Sequence, residues 1–199
     1  MVTMNTIYID FDNTIVESNK KIIELLNKEY GLSKTESDLI DYNYNSIAPI
    51  TRQEKVALFQ SDEFFDCLEF KEGFLDFFNK YSEKMNFVVV TKGTSINLEK
   101  KISWLKKNLP KKVDFIGMPN NLSKKRVNMR DGIQIDDTTI ELDTDAQIKI
   151  LYKSDNNFDW QQGYDNSDIM VVNTWKEIDD VISFYLKYDY KTLNRKEGK

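Results

Sequence analysis

Histidine is absent from this 199-residue sequence, and cysteine occurs once, at Cys67. The first absence excludes Ser-His-Asp and Cys-His nucleophile systems, His-ligated zinc and a haem with a proximal histidine. The second excludes an intrachain disulfide, a CxxC redox pair and a cysteine-rich zinc site; Cys67 itself reads as a small buried hydrophobe. Proline (3) and glycine (7) are scarce beside 40% hydrophobic residues, which argues against disordered, collagenous and low-complexity classes. No apolar run approaches the roughly 18 residues of a membrane-spanning helix. The opening Met1-Val2-Thr3-Met4-Asn5 lacks the basic and apolar regions of a signal peptide. A cytoplasmic, soluble protein with no membrane partner is therefore expected.

An excess of positive charge is missing as well. The 28 basic and 33 acidic residues leave a net charge of −5, which argues against a dedicated nucleic-acid surface. The length suits one domain, or one domain with a small insert, and is ample for a core. A homodimer is compatible with the sequence but not derivable from it. Chemistry is left to carboxylates, lysine, hydroxyls, backbone groups and a hard metal.

What the chain does have is buried-strand runs. Thr6-Ile7-Tyr8-Ile9 and Asn86-Phe87-Val88-Val89-Val90 are apolar and β-rich without alternation, the pattern of strands covered on both faces. Weaker strands are expected at 113–116, 133–135, 147–152 and 169–172. Between them Leu98, Ile102, Leu105 and Leu109 mark one helix face ending at Pro110. Thr174-Trp175-Lys176-Glu177 is a capping box that opens another helix. Strands alternating with helices predict an α/β fold with a mostly parallel sheet. Residues 17–82 break that alternation: Ile22, Ile23 and Leu26, the box at Thr51–Glu54, and Phe74, Leu75, Phe77, Phe78 and Tyr81 suggest helices only. This predicts a small helical insert, or cap, at 17–82, with a core of 1–16 plus 83–190 and a fraying tail at 191–199.

The informative motif is Asp10-Phe11-Asp12-Asn13-Thr14 at the end of the first strand. Open α/β sheets bind ligands at the carboxyl ends of their strands. Two carboxylates so close raise one pKa unless a cation or shared proton intervenes, although Asp and Asn also form ordinary turns. Asp136-Asp137 ends another expected strand, Thr91 ends the valine-rich one, and Ser123-Lys124-Lys125-Arg126 supplies cations ahead of Asp136. Carboxylates, hydroxyl and cation converging at one sheet edge form a kit for phosphoryl transfer.

In this order the motifs resemble those of the haloacid dehalogenase-like (HAD) phosphatases, whose Rossmann-like core would carry the cap after its first strand. Within that superfamily the chain looks most like the cytosolic and mitochondrial 5′(3′)-deoxyribonucleotidases. The likeness rests on Ser61-Asp62-Glu63-Phe64-Phe65, Glu99-Lys100-Lys101-Ile102-Ser103-Trp104, Gln134-Ile135-Asp136-Asp137 and the stretch 171–178. The resemblance implies Mg²⁺-dependent hydrolysis of a nucleoside or deoxynucleoside 5′-monophosphate. Asp10 would be the nucleophile and Asp12 the general acid–base. Mg²⁺ would be held by Asp10, the Asp12 carbonyl and the Asp136/Asp137 pair. Thr91, with Lys92 beside it, would bind phosphate, and Lys125 or Lys124 would offset its charge. Phe64 and Phe65, or less directly Tyr42 and Tyr44, are candidates to stack on a base, against the plain alternative that they fill a core.

The sequence departs from that family's pattern at four places. Asn13 stands where the family has Gly, Thr91-Lys92-Gly93 replaces Thr-Ser-Pro, and Thr138-Thr139 replaces Arg-Pro. Val16-Glu17-Ser18 lacks the usual aromatic residue. These changes bear on substrate choice. The rival readings are a phosphatase of another small ester, such as a sugar phosphate, and a catalytically silent binding module.

Overall fold

The computed structural model describes residues 6–153, 156, 158–162 and 168–194. Six parallel strands form one sheet: β1 (Thr6–Ile9), β2 (Asn86–Gly93), β3 (Asp114–Pro119), β4 (Gly132–Asp136), β5 (Ile148–Tyr152) and β6 (Ile169–Val172), in the order β3-β2-β1-β4-β5-β6. The chain winds outward from β1 to β3, then crosses back to lay β4 on the other side of β1. That reversal beside β1 is the place where such sheets open a crevice for ligand. Register aligns Ile9 with Val89 on one side and Ile135 on the other. The residues that follow Ile9 and Ile135, Asp10 and Asp136, therefore emerge at one level, and the Asp10 N–H donates to the Ile135 carbonyl at 3.0 Å.

Alternation along the strands sends Ile7, Ile9, Phe87, Val89, Ile133 and Ile135 into the main core, with α1 (Ser18–Tyr30), α4 (Phe74–Tyr81), α5 (Ser95–Asn108) and α6 (Trp175–Asn194) contributing apolar residues to it. Tyr8, Val88 and Val90 point the other way, into a smaller cluster closed by Met118 of β3 and by Met129 and Ala146 from the connections around β4. Trp175 anchors the main core: it is fully buried, its indole N–H donates to the Thr14 carbonyl at 3.2 Å, and Phe74 and Phe77 pack on its ring. Gly73, at φ 82, turns the chain into α4 where a Cβ would meet the Trp175 Cβ at 3.1 Å.

Between β1 and β2 the described chain is helical, with α1, α2 (Arg52–Leu58), α3 (Asp62–Asp66) and α4, plus a 3₁₀ turn at Glu36–Asp38. The Thr51–Glu54 capping box is formed, and Gly31 ends α1 in the left-handed conformation. Although α4 lies within 17–82, it packs on Phe87 and Trp175 beside α6, as part of the sheet's own layer. Cys67 is exposed, because α3 presents Phe64 rather than its C-terminal end to the core. The last helix runs into the stretch read as a tail; residues 195–199, like 1–5, lie outside those described.

Candidate active site

Four chain segments converge at the carboxyl ends of β1, β2 and β4. Asp10 leaves β1, Thr91 lies within β2, Asp136 ends β4, and Lys124 comes from a 3₁₀ turn at Lys124–Arg126. The Lys124 ammonium donates to Asp10 Oδ1 at 2.5 Å and to Asp136 Oδ2 at 2.7 Å, all three side chains being buried. Burial would lower the lysine's pKa, but the two carboxylates outweigh it and hold the group above its ordinary value. Lys125 points elsewhere: it is exposed and pairs with Asp143 at 2.9 Å. In a 3₁₀ turn successive side chains are about 120° apart, so only one of two adjacent lysines faces inward. The backbone N–H of Lys124, bonded to Glu141 Oε2 at 3.2 Å, fixes which one.

Oxygens of Asp10, Asp136 and Asp137 lie within 4.8 Å of one another. Burial, with Asp10 and against the pull of Lys124, pushes Asp136 up to about 7; burial and the two neighbouring carboxylates push Asp137 well above the usual range. Three carboxylates against one ammonium leave two uncompensated charges in a buried pocket. An all-oxygen donor set with that deficit fits a hard divalent cation such as Mg²⁺. Trp160 stabilises the ionised form of Asp137, its indole N–H donating to Oδ2 at 3.1 Å.

Asp12 is held from two sides. Ser18, the first residue of α1, donates its hydroxyl to Oδ1 at 2.7 Å, and Lys101 donates to Oδ2 at 2.5 Å. The same ammonium reaches Thr91 Oγ1 at 2.9 Å and the Lys92 carbonyl at 3.0 Å. Lys101 is fully buried on α5. It falls three residues after Leu98 and four before Leu105, so a lysine on the apolar stripe was the available signal. Asn13 has φ 54, a left-handed conformation that Asn tolerates better than most residues. Its Oδ1 accepts from the Asn19 N–H at 2.7 Å and so caps α1, whose own preceding residue, Glu17, makes no side-chain cap.

Above these groups lies a cavity of about 520 Å³, walled by Tyr42, Tyr44, Lys55, Phe59 and Trp160 among others. Phe64 and Phe65 are not on its wall. Phe64 is fully buried beneath Phe59, their centroids 5.2 Å apart, because the turn of α3 that inserts it also hides it. The aromatic side chains on that wall are instead Phe59, Tyr42, Tyr44 and Trp160. Lys92 does line the cavity, tied to Glu141 at 2.6 Å. Nothing in the sequence marked Trp160, which sits in a short 3₁₀ turn at Asp159–Gln161.

Residues 4–188 match the family described as 5′ nucleotidase, deoxy (pyrimidine), cytosolic type C protein. Among solved structures the chain is similar to a haloacid dehalogenase-like hydrolase of Streptococcus pneumoniae, with TM-score 0.62 and 16% identity over 93% of this chain and 100% of that one. It is similar also to a HAD-superfamily hydrolase of Ehrlichia chaffeensis, with TM-score 0.56 and 14% identity over 94% and 99%. A third is the magnesium-bound HAD-hydrolase YfnB of Bacillus subtilis, with TM-score 0.56 and 14% identity over 90% and 98%. No curated protein matches the sequence. Among the described residues no helix is long and apolar enough to cross a membrane.

Proposed function

The chain belongs to the deoxy (pyrimidine) cytosolic type C 5′-nucleotidase family, HAD-type phosphomonoester hydrolases, and from that premise we propose that it hydrolyses a nucleoside or deoxynucleoside 5′-monophosphate. The observation that carries the reading is the pairing of Asp10, buried against Lys124, with Asp12, held by Ser18 and Lys101 at the floor of one cavity. Asp10 Oδ1 is engaged by Lys124, and among the described residues Oδ2 accepts no hydrogen bond. Oδ2 is the atom that attacks phosphorus. The P–O bond to the nucleoside breaks as Asp12 gives its proton to the leaving oxygen. Asp12 then takes a proton from water, which attacks the aspartyl-phosphate and returns Asp10 and inorganic phosphate. Thr91 faces the phosphate oxygens, Lys101 holds Thr91 and Asp12 in place from behind, and Lys124 offsets charge on Asp10 and the transferred group.

Asp10, Asp136 and Asp137 would hold Mg²⁺, as the charge deficit among them favours and as the magnesium-bound relative suggests. Bound there, the ion supplies charge neutralisation for the phosphate. The helices α1–α3 would serve as a cap, placing Tyr42, Tyr44 and Phe59 around a leaving group that the 520 Å³ cavity accommodates. The test is phosphate release from 5′- and 3′-nucleoside monophosphates, deoxy and ribo, beside sugar phosphates, with EDTA and Asp10→Asn controls. Nucleotide turnover lost in both controls is expected. Turnover of sugar phosphates alone would discard the nucleotide assignment, and undiminished turnover by Asp10→Asn would discard the covalent route.

A further inference from the structure

Lys55 is nine-tenths buried and lines the cavity from α2, yet among the described residues no carboxylate lies within ion-pair distance of it. Its ammonium donates to the Tyr42 carbonyl and sits over the Tyr42 ring, 3.4 Å from the centroid, with the Tyr44 ring at 5.2 Å. An ammonium has three donors, and among the described residues one hydrogen bond engages it here. Arg52, one turn earlier on the same helix, lines the same cavity and also lacks an ion pair among the described residues. By contrast the other lysines of this site, 92, 101 and 124, each hold a carboxylate. A buried cation left with an aromatic face and one carbonyl is costly unless a ligand completes it. Burial accordingly lowers Lys55 to about 8, with Arg52 adding to that and Asp12, Asp41 and Asp159 opposing it from beyond contact.

We propose that Lys55 and Arg52 form a second anion subsite, so that the preferred phosphomonoester carries another anionic group on its leaving-group side. Resting on the nucleotide reading, the ligand class is a nucleoside 5′-phosphate that bears a second phosphate, a nucleoside bisphosphate. Tyr42 and Phe59 would flank the nucleoside, with the scissile phosphate at Lys124 and the second at α2. Glu141 holds Lys92, which leaves the α2 pair as the open cationic position.

The test is calorimetric binding in EDTA, where turnover does not intervene, using two ligand pairs. One is a deoxynucleoside 5′-monophosphate against its 3′,5′-bisphosphate, and the other fructose 6-phosphate against fructose 1,6-bisphosphate. The bisphosphate is expected to bind about tenfold more tightly or better, the scale of one charge-assisted hydrogen bond. Lys55→Gln should abolish that advantage, and Arg52→Gln, on the exposed side of the helix, should reduce it even if Lys55→Gln fails to fold. An advantage confined to the sugar pair would keep the subsite and remove the nucleotide assignment. Equal affinities within both pairs, or an advantage that survives both substitutions, would overturn the subsite even with nucleotides bound.

Discussion

The indole N–H of Trp160 donates to the Asp137 carboxylate at 3.1 Å, while its ring stacks on Phe158 and meets Tyr42 edge-on at 5.8 Å. One side chain thus joins a carboxylate of the proposed cation site to the roof of the cavity. Partners of metal-binding groups set their orientation, and losing them costs roughly 10–100-fold in metal affinity. Trp160→Phe, which keeps the ring and deletes the donor, should raise the Mg²⁺ concentration for half-maximal activity by about tenfold. An Mg²⁺ titration that overlays the wild type would show the bond to be idle.

Lys124 and Lys125 separate cleanly. Lys124→Met strands Asp10 and Asp136 without their shared cation and should lower kcat by about a hundred- to a thousandfold, the scale of single electrostatic deletions. Lys125→Met loses only an exposed, solvent-screened pair with Asp143 and should leave kcat near the wild-type value. Steady-state kinetics of the two variants decide the matter, and a reversal would return the site to Lys125.

The carboxylate cluster makes metal-free stability depend on pH. With Asp136 raised to about 7 and Asp137 raised well above the usual carboxylate range, the folded chain holds protons that the unfolded chain, with carboxylates near 4, has released. More protons bound in the fold means stability falls as pH rises from about 4 through 7. Saturating Mg²⁺ relieves that repulsion, so its increment in Tm should be larger at pH 8 than at pH 5. Thermal unfolding with Mg²⁺ and with EDTA reads both; equal increments would deny that the cluster takes the ion.

Asn13 serves a backbone need and a cap at once. Asn13→Gly should cost about 1 kcal/mol, the value of a lost cap. Asn13→Ala should cost about 2–3 kcal/mol, because it adds the left-handed penalty of about 1–2. Denaturant midpoints distinguish them, and equal losses would mean that the φ of 54 carries no cost.

Much of this was legible in the sequence because a parallel sheet writes its strands as apolar runs and its ligand edge as the residues after them. Asp10, Asp12, Thr91 and Asp136-Asp137 could be found that way. Lys124 could not be chosen over Lys125, since a 3₁₀ turn has no apolar period to show which residue faces in. Phe64 misled for the opposite reason: its apolar character is the same whether it lines a cavity or props up Phe59. Lys55 and Trp160 gave no local signal, as each acquires its role from residues distant in the chain.

Distance along the chain has a consequence of its own. Lys124 reaches back 114 positions to Asp10 and forward 12 to Asp136, and β1 lies between β2 and β4 in the sheet. During synthesis, β1 therefore waits with one edge unpaired until β4 leaves the ribosome. No stretch shorter than 10–137 holds Asp10, Lys124, Asp136 and Asp137 together, so the carboxylate cluster exists only once β4 has joined β1.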